Sequence, residues 1–118
     1  MQATEMRCIV NQSQMLKGLL EGCVLKIIDE GACYSGEIVR FLKEKGFPHI
    51  SEGTLFPLLL RLENQGFFFI ERKNNPLGPC RKYYSLNEKG KNELQSFIAE
   101  WNTLSQKIDF ILKGTEES

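Results

Sequence analysis

Residues 50–91 constrain the fold more than any other part of this chain, because patterns typical of a helix and of strands follow one another there. The stretch begins with apolar residues at helical spacing, namely Leu55, Leu58, Leu59 and Leu62. Two aromatic and β-branched runs, 67–73 and 80–86, come next, and the segment 74–79 between them is turn-forming. Asn87 then precedes another helical pattern. The stretch therefore predicts a helix, a β-hairpin and the start of another helix.

The start of the helix before the hairpin has two interpretations. Ser51 is a suitable cap, and the helix would then continue to Gln65. Pro57 argues against this start, because an interior proline clashes with the carbonyl four residues earlier. If Thr54 is the cap instead, Pro57 falls within the first turn, where proline is tolerated. Either start leaves the leucines facing inward.

Two more helices are predicted before this stretch. The first begins at Asn11 or Ser13 and ends at Glu30, and the second is capped by Ser35 and ends near Lys45. Helices followed by a hairpin are typical of the winged helix-turn-helix, in which one helix enters the major groove of DNA and the hairpin contacts the backbone. The predicted fold class is therefore mainly α with a small β-hairpin.

The last predicted helix, which follows the cap at Asn87, has a heptad pattern. Its apolar residues are three or four positions apart up to Lys113, namely Leu94, Phe97, Trp101, Leu104, Ile108 and Ile111. Such spacing is expected when one helix packs along another. A second apolar stripe on the first helix, with Met15 and Leu19, also favours a partner surface, so we expect a homodimer. The alternative is that the last helix packs on its own domain.

The length of 118 residues predicts one domain over 1–118, with a winged helix-turn-helix over 11–86 and a dimerisation helix over 87–113. No apolar run approaches the roughly 20 residues that cross a membrane. The first residues lack the pattern of a signal peptide. We therefore expect a cytoplasmic protein with no membrane partner.

The charge is unevenly distributed, although the net charge of the chain is zero. Residues 61–91 carry seven basic and three acidic side chains, a net charge of +4, and the remainder carries −4. A local basic surface can neutralise phosphates even on a neutral chain. We therefore predict DNA contacts from the second and third helices and from the hairpin, namely Ser35, Ser51, Glu52, Thr54, Arg61, Lys73, Asn74, Asn75, Arg81 and Lys82.

Catalytic, metal and cofactor sites are not predicted. The four cysteines show no paired ligand spacing, and His49 is the single histidine. The chain has no glycine-rich phosphate loop and no nucleophile at motif spacing from His49, so an enzyme is not expected. Two alternatives to a DNA-binding regulator stay open. One is a winged helix used only for protein contacts, and the other is a regulator that responds to thiol oxidation.

Five segments of the chain resemble the successive blocks of PadR-family transcriptional regulators. They are MLKGLL (15–20), YSGEI (34–38), SEGTLFPLLLRLENQG (51–66), GPCRKYYSLNEKG (78–90) and Trp101. The resemblance implies a homodimeric winged-helix repressor of a palindromic operator, with DNA contacts from Ser51, Thr54, Lys73, Arg81 and Lys82. The family usually has tyrosine at the position of Phe56. It often has a glycine–tyrosine pair where this chain has Ser35 and Gly36.

The resemblance extends to the short branch of the family, which lacks a separate C-terminal domain. Multidrug-sensing members of that branch bind flat aromatic ligands between tryptophans of both chains. Trp101 matches that position, and Met15, Leu19 and Ile98 are the other candidate pocket residues. The resemblance thus implies a small aromatic or phenolic effector at the dimer interface. The alternative is that Trp101 only fills the contact between the two helices.

Overall fold

Four helices and one β-hairpin follow one another in the computed structural model, which describes residues 15–16 and 18–114. The helices are α1 (Leu20–Asp29), α2 (Ser35–Glu44), α3 (Glu52–Asn64) and α4 (Glu88–Lys113). The hairpin, called the wing below, consists of β1 (Phe68–Asn75) and β2 (Gly78–Leu86) and lies between α3 and α4. This order confirms the predicted fold class, a winged helix-turn-helix followed by a long C-terminal helix.

The first helix is shorter than predicted. Met15 and Leu16 are helical, but Gly18 has a φ of +83°, which interrupts helical geometry before α1 begins. The Leu19 N–H donates to the Leu16 carbonyl at 2.9 Å, as at the end of a helical turn. The prediction of one unbroken helix to Glu30 is therefore wrong. The predicted start at Asn11 or Ser13 lies outside the described residues.

The cap of α2 also differs from the prediction by one residue. Tyr34 has extended backbone geometry and precedes the helix, while Ser35 is its first helical residue. The Glu37 carboxylate accepts a hydrogen bond from the Tyr34 N–H at 3.2 Å, which satisfies one donor at the helix start. Tyr34 is therefore fixed at the junction between a short extended segment and α2.

Ser51 caps α3, as the first interpretation predicted. The Thr54 N–H donates to Ser51 Oγ at 3.3 Å. Pro57 therefore lies inside the helix, and the alternative start at Thr54 is wrong. Proline has no N–H for the carbonyl of Gly53, which is exposed to solvent. Burial of the inward-facing leucines offsets that loss, and these are Leu55, Leu58, Leu59 and Leu62.

The two strands of the wing pair antiparallel, with Phe68 opposite Leu86 and Lys73 opposite Arg81. The turn is shorter than the predicted segment 74–79, because Asn75 already pairs with Gly78. A bridge from Cys33 to Tyr84 extends the pairing on the free side of β2. In it the Cys33 N–H donates to the Tyr84 carbonyl at 3.1 Å, and the Tyr84 N–H donates to the Cys33 carbonyl at 2.8 Å. The bridge joins the wing to the segment before α2.

The hydrophobic core lies where α1, α2 and α3 meet the inner face of the wing. Its most deeply buried side chains are Val24, Leu25, Ile28, Ile38, Leu55, Leu59, Leu62 and Leu94. Gly90 and Leu94 are the buried residues of α4, which is described over its whole length. A Cβ at Gly90 would lie 2.3 Å from the Phe67 carbonyl oxygen, so glycine allows α4 to begin directly against the wing. None of the helices described here is long and apolar enough to cross a membrane.

Candidate nucleic-acid interface

The start of α3 presents small polar side chains to solvent. Ser51, Glu52 and Thr54 are all exposed, because the leucines of α3 take the opposite side of the helix. The hydroxyls of Ser51 and Thr54 lie 3.3 Å apart, so each orients the other. Hydroxyl and carboxylate groups at the exposed start of a helix can hydrogen-bond to base edges in a major groove. These predicted residues therefore lie together on one accessible surface.

Arg61 lies further along α3 and is already paired within the protein. Its guanidinium donates to the Glu21 carboxylate of α1 through two nitrogens, Nε at 2.8 Å and also Nη2. The pair joins the predicted recognition helix to α1. Neutralisation by Glu21 leaves Arg61 less charge to offer a phosphate than sequence position alone suggests.

The wing carries the other predicted side chains on and near its turn. Lys73, Asn74 and Arg81 are exposed, while Asn75 is half-buried. The Asn75 side chain is engaged in the turn, since its Oδ1 accepts from the Leu77 N–H at 3.2 Å. The wing therefore exposes three cations, Arg72, Lys73 and Arg81. Of its two amides, Asn75 holds the turn, and the exposed Asn74 accepts a weak hydrogen bond from the Cys80 thiol at 3.7 Å.

Lys82 and Arg81 project from opposite faces of β2, as adjacent residues of a strand must. Lys82 lies on the inner face, where its Nζ is 2.9 Å from a Glu63 carboxylate oxygen. Both side chains of that pair are about one-third exposed, which makes it better shielded from solvent than the other pairs. Lys82 thus joins the wing to α3, and Arg81 is the one that faces outward.

Two tyrosines that the sequence reasoning missed support the outward-facing cations. Lys73 Nζ lies 4.4 Å from the centre of the Tyr83 ring, and the Arg81 guanidinium lies 4.3 Å from the centre of the Tyr34 ring. The two rings contact each other edge to face, with 5.3 Å between their centres. The sequence signal was the alternation in RKYY, which places Arg81 and Tyr83 on one face of a strand. Half-buried Ser35 follows Tyr34 at the start of α2, beside this cluster.

Comparison with known proteins agrees with this arrangement. The model of the transcriptional regulator PadR-like family matches residues 24–96. The chain is 40% identical to a PadR-like transcriptional regulator from Bacillus cereus, covering 86% of this chain and 99% of that one with a TM-score of 0.75. It is 43% identical to a Streptococcus transcriptional regulator, covering 83% and 96% with a TM-score of 0.73. A PadR family regulator from Eggerthella lenta is 31% identical over 86% and 88%, with a TM-score of 0.78.

The chain belongs to the PadR family. It is a transcriptional regulator whose winged helix binds DNA, and the surface formed by α3 and the wing is where such a fold does so. Thr54 and the basic wing residues are exposed on this α3–wing surface. Assignment of individual contacts to bases or phosphates stays a prediction.

This PadR protein has a second surface feature, an apolar groove of about 780 Å³ between α1, α2 and α4. Leu19 and Trp101, both predicted pocket residues, line it, whereas Met15 and Ile98 are not among its lining residues. The wall also includes Cys23, and burial raises the pKa of its thiol. Sequence reasoning missed Phe41 of α2, which lines the groove and is exposed despite its size. A groove of this volume is large enough for a small molecule or a helix side-chain cluster.

The α4 seam continues from this groove towards the end of the chain. Leu94 is buried and Phe97 is half-buried against α1, with its ring so close to Gly22 that a Cβ there would overlap it. From Trp101 onward the seam is exposed, and its side chains are Trp101, Leu104, Ile108 and Ile111. The seam therefore packs on the rest of its own chain at one end only.

Metal binding receives no support from the described part of the chain. No group of three or more His, Cys, Asp or Glu side chains within it is arranged to hold a metal ion. Cys23, Cys33 and Cys80 are free thiols.

Proposed function

We propose that this PadR protein is a cytoplasmic homodimeric repressor that binds a palindromic operator and is released from it by a small aromatic effector. The observation that carries the proposal is the division of the molecule into two surfaces. Polar and basic side chains are exposed at the start of α3 and along the wing, beside single apolar side chains such as Phe56 and Leu77. On α4 the exposed apolar side chains form a continuous seam from Trp101 to Ile111. The first suits a DNA duplex, and the second suits another copy of the chain.

The DNA contacts divide by chemistry into two groups. Ser51, Glu52 and Thr54 supply contacts to base edges, because they are exposed at the start of α3. Lys73, Asn74 and Arg81 supply contacts to phosphates from the wing. Arg61, Lys82, Asn75 and Ser35 play smaller parts, since the first three are engaged by other groups of the protein and Ser35 is half-buried.

The homodimer forms through the exposed part of the α4 seam, helped by the groove-facing side of α1. Side chains such as Leu104 and Ile108 are 47% and 42% exposed, so burying the rest of each gains about half of the roughly 1.5–3 kcal/mol that burial of a fully exposed side chain gives. A two-fold axis would use the same surface on both copies, so each gain counts twice. Dimerisation also sets the distance between two recognition helices, which a palindromic operator requires to be about 34–36 Å or a multiple of it.

The effector enters beside Trp101, where the apolar groove meets the dimer contact. A planar aromatic ring stacked on indole gains roughly 0.5–1.5 kcal/mol beyond the burial of its area. Leu19 lies in the same groove, and Met15 and Ile98 are exposed apolar residues that the second copy would bring towards it. A ligand that favours a dimer geometry with a different helix spacing would release DNA by its differential affinity.

The DNA-binding part is tested by selecting an operator from random duplexes and titrating it at several salt concentrations. The slope of log K against log salt should flatten by about two units per protomer when Lys73 and Arg81 are both replaced with alanine. The matched double variant Arg61→Ala, Lys82→Ala should flatten it less, because those cations are ion-paired in the free protein. Equal slopes for parent and Lys73/Arg81 variant would refute the wing assignment.

The effector is tested with planar aromatic compounds that quench the single tryptophan. A true effector quenches Trp101 and weakens operator binding over the same concentration range. Trp101→Ala should abolish the loss of operator binding while light scattering still shows a dimer. If Trp101→Ala instead dissociates into monomers, Trp101 belongs to the dimer contact and the effector proposal is withdrawn.

A further inference from the structure

The pairing register places Glu71 and Tyr83 opposite each other on the outward face of the wing, next to Lys73 and Arg81. Cys33 pairs with Tyr84, and both are buried, so Tyr34 and Tyr83 point to the opposite face. Two residues before Tyr83, Arg81 lies on that same face, and Lys73 is its cross-strand partner. The order across the surface is Lys73, Tyr83, Tyr34 and Arg81, which we call the wing ladder.

Each cation of the wing ladder rests on a tyrosine ring. Lys73 Nζ is 4.4 Å from the centre of the Tyr83 ring, and the Arg81 guanidinium is 4.3 Å from that of Tyr34. Both distances lie within the roughly 6 Å at which a cation is attracted by the face of a ring. The rings contact each other edge to face, so the two cation contacts form one connected unit.

The arrangement brings two like charges directly opposite each other. Such a cross-strand pair is unfavourable unless something else compensates it. Among the described residues, neither Lys73 nor Arg81 forms an ion pair, in contrast to Arg61 with Glu21 and Lys82 with Glu63. A tyrosine ring attracts a cation but carries no net charge. Glu71 lies on the same face, opposite Tyr83, but in the described part of the chain it forms no ion pair with either cation. The two positive charges of the ladder therefore stay available to an anion.

Gly36 makes room for the ladder. A Cβ at this position would lie 2.8 Å from Tyr34 Cε2, closer than real contacts allow. Gly36 is the second residue of α2, and its lack of a side chain lets the Tyr34 ring lie over the start of that helix and under Arg81. Any other residue would displace the ring.

We propose that Tyr34 and Tyr83 are positioning residues that hold Arg81 and Lys73 in place for adjacent phosphates of the DNA backbone. The proposal rests on the proposed DNA contacts of the wing. Long basic side chains lose rotamer freedom when they bind, and the rings have already restricted these two in the free protein. The phosphates in turn relieve the repulsion between the two cations.

The test compares Tyr34→Phe with Tyr34→Leu, and Tyr83→Phe with Tyr83→Leu, in the full-length chain. Fluorescence anisotropy measures their affinity for a mixed-sequence labelled duplex. The phenylalanine variants keep the ring and should bind like the parent. The leucine variants should bind roughly two- to fivefold more weakly per wing, with an unchanged salt slope because the number of phosphate contacts is the same. Phe69→Leu is the matched control, an exposed ring of β1 with no cation over it among the described residues.

A double-mutant cycle separates the positioning role of the tyrosines from the proposed phosphate contacts of the wing cations. In an Arg81→Ala background, Tyr34→Leu should have a much smaller effect than in the parent, because only the edge contact of Tyr34 with Tyr83 is then lost. If Arg81→Ala and Lys73→Ala leave affinity and salt slope unchanged, the proposed wing contacts fail. If Arg81→Ala and Lys73→Ala weaken binding, but replacing each tyrosine with leucine has the same effect as replacing it with phenylalanine, only the positioning role fails.

Gly36→Ala gives a second test that does not depend on removing a ring. The higher helix propensity of alanine offsets part of the cost of displacing the Tyr34 ring, so this variant should still fold. The added Cβ should push Tyr34 away from Arg81 and weaken DNA binding in the direction of Tyr34→Leu. It would also lie 3.2 Å from Glu52 Oε2, so a loss of affinity that persists without the Tyr34 ring is assigned to Glu52 instead. In the Tyr34→Leu background the same change should be neutral. Unchanged affinity of Gly36→Ala in the parent background would overturn the role of Tyr34.

Discussion

The two ends of the molecule differ in how completely they fold on themselves. In the winged-helix part, apolar side chains from α1, α2, α3 and the wing bury one another in a shared core. In α4 only Leu94 and Gly90 are buried, and Ile108 near its end is 42% exposed although it belongs to the same apolar pattern. A heptad pattern thus predicts where a helix has a packing face, but not which chain covers it. The winged-helix part buries its own apolar surfaces, whereas most of the apolar seam of α4 is exposed in the single chain.

The largest expected effect is the loss of the dimer in Ile108→Glu. Ile108 is 42% exposed, so each copy would lose roughly 0.6–1.3 kcal/mol of apolar burial, and the two-fold contact doubles this. Burying a glutamate carboxylate in each copy costs several kcal/mol more, so the dissociation constant should rise by about 10²-fold or more. Light scattering should change from twice the chain mass of 13.6 kDa to that mass itself. The matched control Gln106→Glu adds the same charge outside the seam and should stay dimeric. If the parent protein is itself monomeric, no second copy covers the α4 seam and the proposed dimer contact is wrong.

The next largest effect is expected when a leucine is truncated to alanine, once in the winged-helix core and once in the α4 seam. Leu59→Ala, in the core, should lower the free energy of unfolding by roughly 2–5 kcal/mol. Leu104→Ala, at a side chain that is 47% exposed, should change the unfolding of the dissociated chain little and weaken dimerisation instead. Urea titrations over a range of protein concentrations distinguish the two, because only dimer dissociation depends on concentration. Equal losses of unfolding free energy at both positions, independent of protein concentration, would contradict the difference between the winged-helix core and the α4 seam.

Local sequence signals predicted most of the fold, since caps, periodicity and turn residues act over a few positions. Ser51, Asn87 and the alternation in the strands are examples, and each agrees with the structure. Gly18 was the largest exception, because glycine is compatible with both a helix and a left-handed turn. The cap of α2 and the length of the wing turn differed from the prediction by one or two residues.

The candidate site was harder to predict than the fold. Its polar side chains were identified, but their partners come from distant parts of the chain, as in the pair of Arg61 with Glu21 and the stacking of Arg81 on Tyr34. Local periodicity contains no information on such contacts, because packing of the helices and wing creates them. The sequence therefore identified the cations without showing which ones the protein neutralises itself.

Thr54→Ala tests whether DNA recognition belongs to the winged-helix part alone. The backbone N–H that caps α3 through Ser51 is retained, so the helix should persist. If Thr54 contacts a base, the variant should lose roughly 1–3 kcal/mol of discrimination between operator and mismatched duplexes, with its mass unchanged. Thr103→Ala, the same change at an exposed position of α4, is the control and should leave discrimination intact. Equal discrimination by parent and Thr54→Ala would exclude a direct base contact.

The smallest expected effect concerns Cys23, which lies on the groove wall that the second copy approaches. Alkylation requires the thiolate, and burial already raises the pKa of the Cys23 thiol, so its thiolate fraction at pH 8 is low and should increase with pH. A partner helix over the groove would bury the thiol further. Alkylation of Cys23 should therefore be a few-fold slower in the dimeric parent than in monomeric Ile108→Glu.

Peptide mass spectrometry separates Cys23 from the other thiols and supplies internal references for the same reaction. Exposed Cys80 of the wing should react at one rate in both proteins, because it is remote from the seam in the fold. Cys33 should be slowest in both, because it is buried and burial raises its pKa to about 11. Equal Cys23 rates in dimer and monomer, with Cys80 rates matched, would show that the second copy leaves this part of the groove open. The dimer contact would then be confined to the exposed end of α4, and the groove beside Trp101 would stay accessible to an effector.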